Sequence, residues 1–339
     1  WSSDVCSSDL MYGFPSYHSA ISEYIVHSEN VKTLLIKSGI DASKIKVLGE
    51  SDNTGWKTSD NFKDNKIVIN GIQFTLSDNV NNYVSISGIP GRLSESTILP
   101  NEIECAGNVY KVTSISGYTG KHDEVKNITI PDSVTNIDKH AFLQLYNVES
   151  ITVDPGNKYY EDINGVLFNE AETKLIKYPK GKTDSKYIIP NSVKTIDANS
   201  FSSNLNLKNV ELVNGITSIA FGAFSGCIGL TSMDIPNSVT SIGAWAFEDC
   251  TSLSSLVIPD GVTSIRDCAF EGCSTLTSLT IPDNVTCIGF GVFEGCSSLR
   301  DLVIPNSVND IEDWAFEGCS FPDNLKQELI SRFGDKIFW

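Results

Sequence analysis

The sequence predicts a mainly β repeat solenoid, and three observations carry that expectation. Pro236, Pro259, Pro282 and Pro305 fall at intervals of 23 residues. Phe247, Phe270, Phe293 and Phe316 keep the same interval, as do Cys227, Cys250, Cys273, Cys296 and Cys319. Within each period, strand-like alternation gives way to turn residues at the same place. The unit reads I-P-[DN]-x-V-T-x-I-x-x-x-A-F-E-G-C-[ST]-x-L-x-x-L-x, and weaker copies begin at Ile130, Ile189 and Leu212. A fixed period of roughly 20–50 residues is the signature of stacked repeats.

Each part of the unit has a physical reading. Leu276, Leu279 and Ile281 alternate at the end with the period of a strand. Pro282-Asp283 ends that strand, because proline cannot donate to a ladder and aspartate favours turns. Val285 and Ile288 form a second inward pair on a short extended segment. Val292 to Cys296 suits one helical turn, closed by Gly295. No single unit can bury these side chains, but stacked units cover one another and share a continuous core. The buried columns are expected to be Phe247, Phe270, Phe293, Phe316 and the five cysteines in register. At the C-terminus, residues 321–339 read as a capping helix, with Leu325, Leu329, Ile330 and Phe333 on one face.

The repeat pattern closely resembles the BspA-like class of leucine-rich repeats, and the resemblance spans about residues 105–320. It implies a hairpin inserted between two coils near 154–189, in the stretch INGVLFNEAETKLIKYPKGKTDSKYIIP. Pro131 and Pro190 are 59 residues apart, one period plus an insert of 36. Residues 66–104, including KIVINGIQFTLSDNVNNYVSISG, resemble the strand-rich lead-in that precedes such repeats.

The rest of the chain divides into three pieces. Residues 1–10, WSSDVCSSDL, resemble a translated sequencing adapter and are excluded from fold reasoning, so the true N-terminus is expected to lie upstream. Residues 11–50 read strand, helix, strand and weakly resemble part of a glycosyltransferase, the tail of a truncated upstream domain. Residues 51–65 are polar and aperiodic, a linker.

Composition narrows the chemistry. Net charge is −17, which argues against nucleic acid as a partner. Hydrophobic content is 40%, yet no apolar run is long enough to insert in a membrane. Of nine cysteines, five sit one per coil at the same register and none forms a C-x-x-C pair, so neither zinc nor any cofactor is expected. Coils about 4.8 Å apart hold parallel side chains too far apart for disulfides, which leaves a ladder of buried apolar thiols. Cys268 and Cys287 break the register and are expected to be more accessible. Glu248, Glu271, Glu294 and Glu317 form an acidic column; one carboxylate per coil favours a solvated face over a Ca²⁺ site. Trp245 and Trp314 share a repeat position and are expected to pack at the coil edge. The four histidines lack catalytic spacing, and GAFSG (residues 222–226) misplaces its serine for a nucleophile elbow, so no catalytic residue is assigned.

The candidate ligand face is the outward side of the strands: Ser232, Asp234, Ser255, Ser278, Thr280 and Asp301, with Val257 and Val303 among them. A long regular face suits a macromolecular ligand, a protein, rather than a small molecule. The resemblance implies a bacterial or protist cell-surface or secreted protein with an adhesion role. Two other readings stand beside it: an accessory region of a glycosyltransferase, and a structural spacer.

Overall fold

The computed structural model describes residues 24–26, 45–47, 66–69, 72–78, 81–88, 93–105, 108–117 and 122–339. It is a β-solenoid of about eight turns, with a curled sheet before it and one helix after it. Equivalent residues pair in parallel at a shift of 23, as in Asn209 with Ser232 and Ser218 with Ser241.

Every full coil has three sides. The first is the strand of the L-x-x-L segment: Lys186–Ile188, Asn209–Glu211, Ser232–Asp234 and Ser255–Val257 in one ladder, Ser278–Thr280 and Asp301–Val303 in the next. Its middle residues, Val210, Met233, Leu256, Leu279 and Leu302, point inward and are buried. The second side is a pair of residues per coil, from Thr195–Ile196 to Asp310–Ile311, whose isoleucines are likewise buried. These strands are short because the proline turn precedes them and the A-F turn follows within three residues.

The third side differs from the expected helical turn. It is a run of β-turns, with Ala223 N donating to Ala220 O, Ser225 N to Gly222 O and Cys227 N to Phe224 O. Alternate amides cross to the next coil: Phe224 N to Ala246 O, Phe247 N to Ala269 O, Phe270 N to Val292 O, Phe293 N to Ala315 O. A helical turn would direct those amides along its own axis, so the continuous inter-coil ladder excludes it. The turns need positive φ at two sites per coil, met by Gly222 and Gly226, Gly291 and Gly295, but also by Trp245 and Trp314.

Six phenylalanines, from Phe201 to Phe316, run up the core in a single stack, fully buried. Adjacent rings lie 4.9–5.7 Å apart and within 11° of parallel. Each coil repeats the rotamer of the last, which imposes the offset-stacked arrangement. Burying one such side chain contributes about 1.5–3 kcal/mol.

The lead-in starts both ladders. Ser96–Ile98 pairs in parallel with Asn127–Ile130, the first coil's outer strand. Asn108–Ile115 pairs with Asn136–Ile137, the first rung of the second side. Lys66–Ile69, Ile72–Asp78 and Tyr83–Gly88 complete the sheet as an antiparallel meander. The insert is also a meander: Tyr160–Ile163, Val166–Asn169 and Lys174–Lys177 are antiparallel, and the last joins Thr195–Ile196 in parallel. Its first turn is Asn164-Gly165, both at positive φ, the geometry of a two-residue hairpin.

At the far end, the helix Asp323–Phe333 buries Leu329 against the last coil, with Leu325 and Phe333 half-buried beside it. The single capping helix expected over 321–339 is split: it ends at Phe333, before Gly334 at φ 84°, and the 3-10 turn Asp335–Phe338, whose Ile337 is buried, shares the seal. Trp314 N donates to Lys336 O and Phe316 N to Ile337 O, so the tail supplies the carbonyls of a missing next coil. Tyr24–Val26 and Ile45–Val47 pair in parallel. The helix expected between them, the linker at 51–65 and residues 1–10 lie outside the described residues.

Candidate functional site

The outward residues of the first ladder form two rows. Ser232, Ser255, Ser278 and Asp301 make one row; Asp234, Val257, Thr280 and Val303 make the other. All are exposed except Ser232, which is half-buried. Residues alternate across the pleat, so the rows stand about 6.6–6.8 Å apart while coils repeat every ~4.8 Å. The result is a flat grid of small side chains. Val257 at 70% exposure and Val303 at 59% are its apolar members.

The face continues beyond the residues singled out from sequence. Lys186 and Asn209 extend the first row; Ile188 and Glu211 extend the second, and Lys186 pairs with Glu211. Earlier still, Ile98 stands exposed next to the hydroxyls of Thr129 and Thr152, which are 2.9 Å apart. The signal for these was present: STI and KYI (residues 96–98 and 186–188) match the outward-inward-outward pattern of SLV (residues 255–257). Ser96–Ile98 precedes the first repeat copy at Ile130, and Lys186–Ile188 closes the insert, where the 23-residue spacing is interrupted.

The acidic column lies on the turn side, away from this face. Glu248 accepts a hydrogen bond from Ser225 Oγ at 2.8 Å. Burial, then the neighbouring Glu271 and Asp249, push its carboxyl up from the usual range. Burial and then Glu271 and Glu317 do the same to Glu294. Among the described residues, no three His, Cys, Asp or Glu side chains converge to hold a metal ion.

The five in-register thiols are hydrogen-bonded. Cys227, Cys250, Cys273, Cys296 and Cys319 each direct Sγ to a carbonyl one coil back, from Phe201, Phe224, Phe247, Phe270 and Phe293, at 3.1–3.2 Å. All eight described cysteines are free. Cys268, expected to be accessible, is instead buried at the turn corner, where burial and a hydrogen bond to Glu271 push its thiol up to about 12. Cys287 is half-exposed.

The insert contributes two buried cations. Lys177 Nζ donates to Asn199 O at 2.7 Å and to Ser202 Oγ at 3.3 Å. Lys180 Nζ donates to Leu143 O at 2.7 Å, and burial lowers its pKa to about 8. Lys177 also lines a recess of about 20 Å³ with Asp138, Phe142 and Asp197, room for a water molecule.

The BspA type leucine rich repeat region matches this chain in six copies, over residues 113–187 and 182–274. A leucine-rich repeat protein from Eubacterium ventriosum superposes with a TM-score of 0.55 at 24% identity, covering 76% of this chain and 95% of its own. The pneumococcal vaccine antigen PcpA superposes at 0.53 with 18% identity, covering 81% of this chain and 98% of its own. Likeness at these identities shows the fold. No curated protein matches the chain. The glycosyltransferase resemblance of residues 11–50 finds no support among these matches and is withdrawn. The 23-residue coils, the buried phenylalanine column and the six matched copies together identify residues 113–274 as a BspA type leucine-rich repeat region.

Proposed function

We propose that the solenoid is a non-catalytic protein-binding module with an adhesion role, on a bacterial surface or secreted protein. The observation that carries this reading is the two-row strand face from Lys186 to Val303, built from two successive ladders, with its second row exposed on every coil. Such a surface suits an extended protein partner. The likeness in fold to PcpA, a pneumococcal vaccine antigen, supports a place outside the cell. The ligand residues are Ser232, Asp234, Ser255, Ser278, Thr280 and Asp301, with Val257 and Val303 as apolar contacts. Small side chains offer few anchors, so single contacts are weak and binding gains from multivalent display.

Beads coated with the full chain test this on cultured epithelial cells. Adherence is expected for the native chain and is lost when Ser255, Ser278 and Thr280 are replaced together by Lys, with circular dichroism unchanged. Undiminished adherence by that triple variant would exclude this face.

A further inference from the structure

A second surface runs along the corner between the short strands and the turns. It carries two aromatic pairs. Phe221 and Trp245 lie 5.1 Å apart between ring centroids, on adjacent coils. Phe290 and Trp314 repeat the arrangement three coils on, at 6.0 Å. Phe221, Phe290 and Trp314 are exposed, and Trp245 is half-buried, so neither pair is filling the core.

The backbone makes these tryptophans costly. Trp245 and Trp314 stand at φ of 54° and 64°, at the repeat position that Gly222 and Gly291 occupy in other coils. A bulky residue in the left-handed region is strained, and such strain concentrates where a side chain is used. Glycine meets the turn's demand without strain, so the indole rings are not there for the turn.

The coils are acidic as a whole: from Gly226 to Ser320 there are 13 acidic residues, spread over all faces, against Arg266 and Arg300, while Lys139 and Lys336 stand beside the two pairs. Asp267 lies on the corner between the pairs; Glu312 and Asp313 flank the second, where Asp313 pairs with Lys336 at 3.3 Å. The chain itself already shows what the first pair accepts: Lys139 Nζ sits over the Phe221 ring, 5.1 Å from its centroid. A cation over an aromatic face is attracted by the ring quadrupole, and nearby carboxylates add to that attraction.

We propose that this corner binds an extended cationic segment of a partner protein, with a Lys or Arg side chain on each aromatic pair. Three coils separate the pairs, about 14 Å. Residues four apart on an extended chain are separated by about 13 Å and point to the same side. The partner therefore carries basic residues at i and i+4. This surface is separate from the strand face of the proposed adhesion role.

Fluorescence anisotropy of a labelled heptapeptide, with arginines at its second and sixth positions and glycine elsewhere, tests the proposal on the full chain. Saturable binding is expected, weakened as salt is raised. The glutamate counterpart should not bind. Trp245→Gly and Trp314→Gly, which copy the glycines of neighbouring coils, should each weaken binding about five- to tenfold, and the double variant should approach background. Phe221→Ala serves as a second route should a glycine variant alter the circular dichroism spectrum. Unchanged affinity in the double variant would overturn the proposal. So would tryptophan-dependent binding of a neutral linear oligosaccharide in place of the peptide.

Discussion

Cys273 directs its thiol to the backbone carbonyl of Phe247, one coil back, with Sγ 3.2 Å from the oxygen. That carbonyl also accepts the amide of Cys250 at 3.1 Å, using both of its lone pairs. The same bond recurs at four other cysteines. Asn204, which holds the cysteine position in an earlier coil, reaches Tyr178 O through Nδ2 at 3.4 Å and Phe201 O at 3.0 Å. The thiols are therefore donors that tie coil to coil, where the sequence suggested only apolar filling. Cys273→Ala should lower stability by about 1–2 kcal/mol, from the lost donor and a small cavity. Thermal unfolding checks this; an unchanged midpoint would reduce the thiols to filler.

Reactivity should follow the same geometry. Thiol labelling of the native chain is expected to be slow at Cys250, Cys273 and Cys296 and fastest, among the repeat cysteines, at Cys287. Burial holds the ladder thiols protonated, which removes the nucleophilic thiolate as well as access to it. A disulfide between adjacent ladder members, found by mass spectrometry, would contradict the parallel arrangement.

The period was legible because 23-residue spacing survives in Pro, Phe and Cys at once, and the strand face followed from alternation about Leu256 and Leu279. The turn side was not. The string A-F-E-G-C has the length of a helical turn, and only the inter-coil amides show that its hydrogen bonds leave the coil. The aromatic corner was half legible: Trp245 and Trp314 share a repeat position, but Phe221 and Trp245 are 24 residues apart, one off the period, so the spacing does not pair them. Cys268 was misjudged because its register position faces a neighbour, Gly291, whose missing side chain makes room for the sulfur.

The phenylalanine stack predicts a sharp contrast between neighbours. Phe270 is buried between Phe247 at 5.4 Å and Phe293 at 5.6 Å. Phe270→Ala should cost about 3–5 kcal/mol. Glu271→Gln, one residue on, should be neutral or slightly stabilising, since it removes a charge that repels Glu248 and Glu294. Equal effects in a urea titration would break the assigned register.

Alkaline pH should unfold the chain early. Burial raises Cys227 and Cys296 from 9.0 to about 12, and Cys250, Cys273, Tyr178 and Tyr187 also rise. Above pH 9 the unfolded chain loses thiol protons that the folded chain keeps, so stability falls as pH rises through that window. Each thiol contributes up to about 1.4 kcal/mol per pH unit. Lys177 and Lys180, whose pKa values are lowered, work in the opposite direction up to 10.5, but they are fewer. Urea midpoints should drop between about pH 9 and pH 11, where thiol loss outweighs the two lysines, and less steeply in a Cys250→Ala, Cys273→Ala double variant. A midpoint that rises over this range would mean the thiols are not buried.

Removal of one whole period tests the central claim, that equivalent coils stack on one another and so build the continuous face. Deleting residues 258–280 joins Val257 to Ile281, and Ile281 stands where Ile258 stood. Deleting residues 258–269 removes half a coil and joins Val257 to Phe270, out of register. In a repeat array each unit contacts only its neighbours, so the first variant should remain folded. Thermal unfolding followed by circular dichroism should show a cooperative, near-native transition for the 23-residue deletion and none for the 12-residue deletion. Loss of the transition in both variants, or its survival in both, would contradict the stacking of equivalent coils.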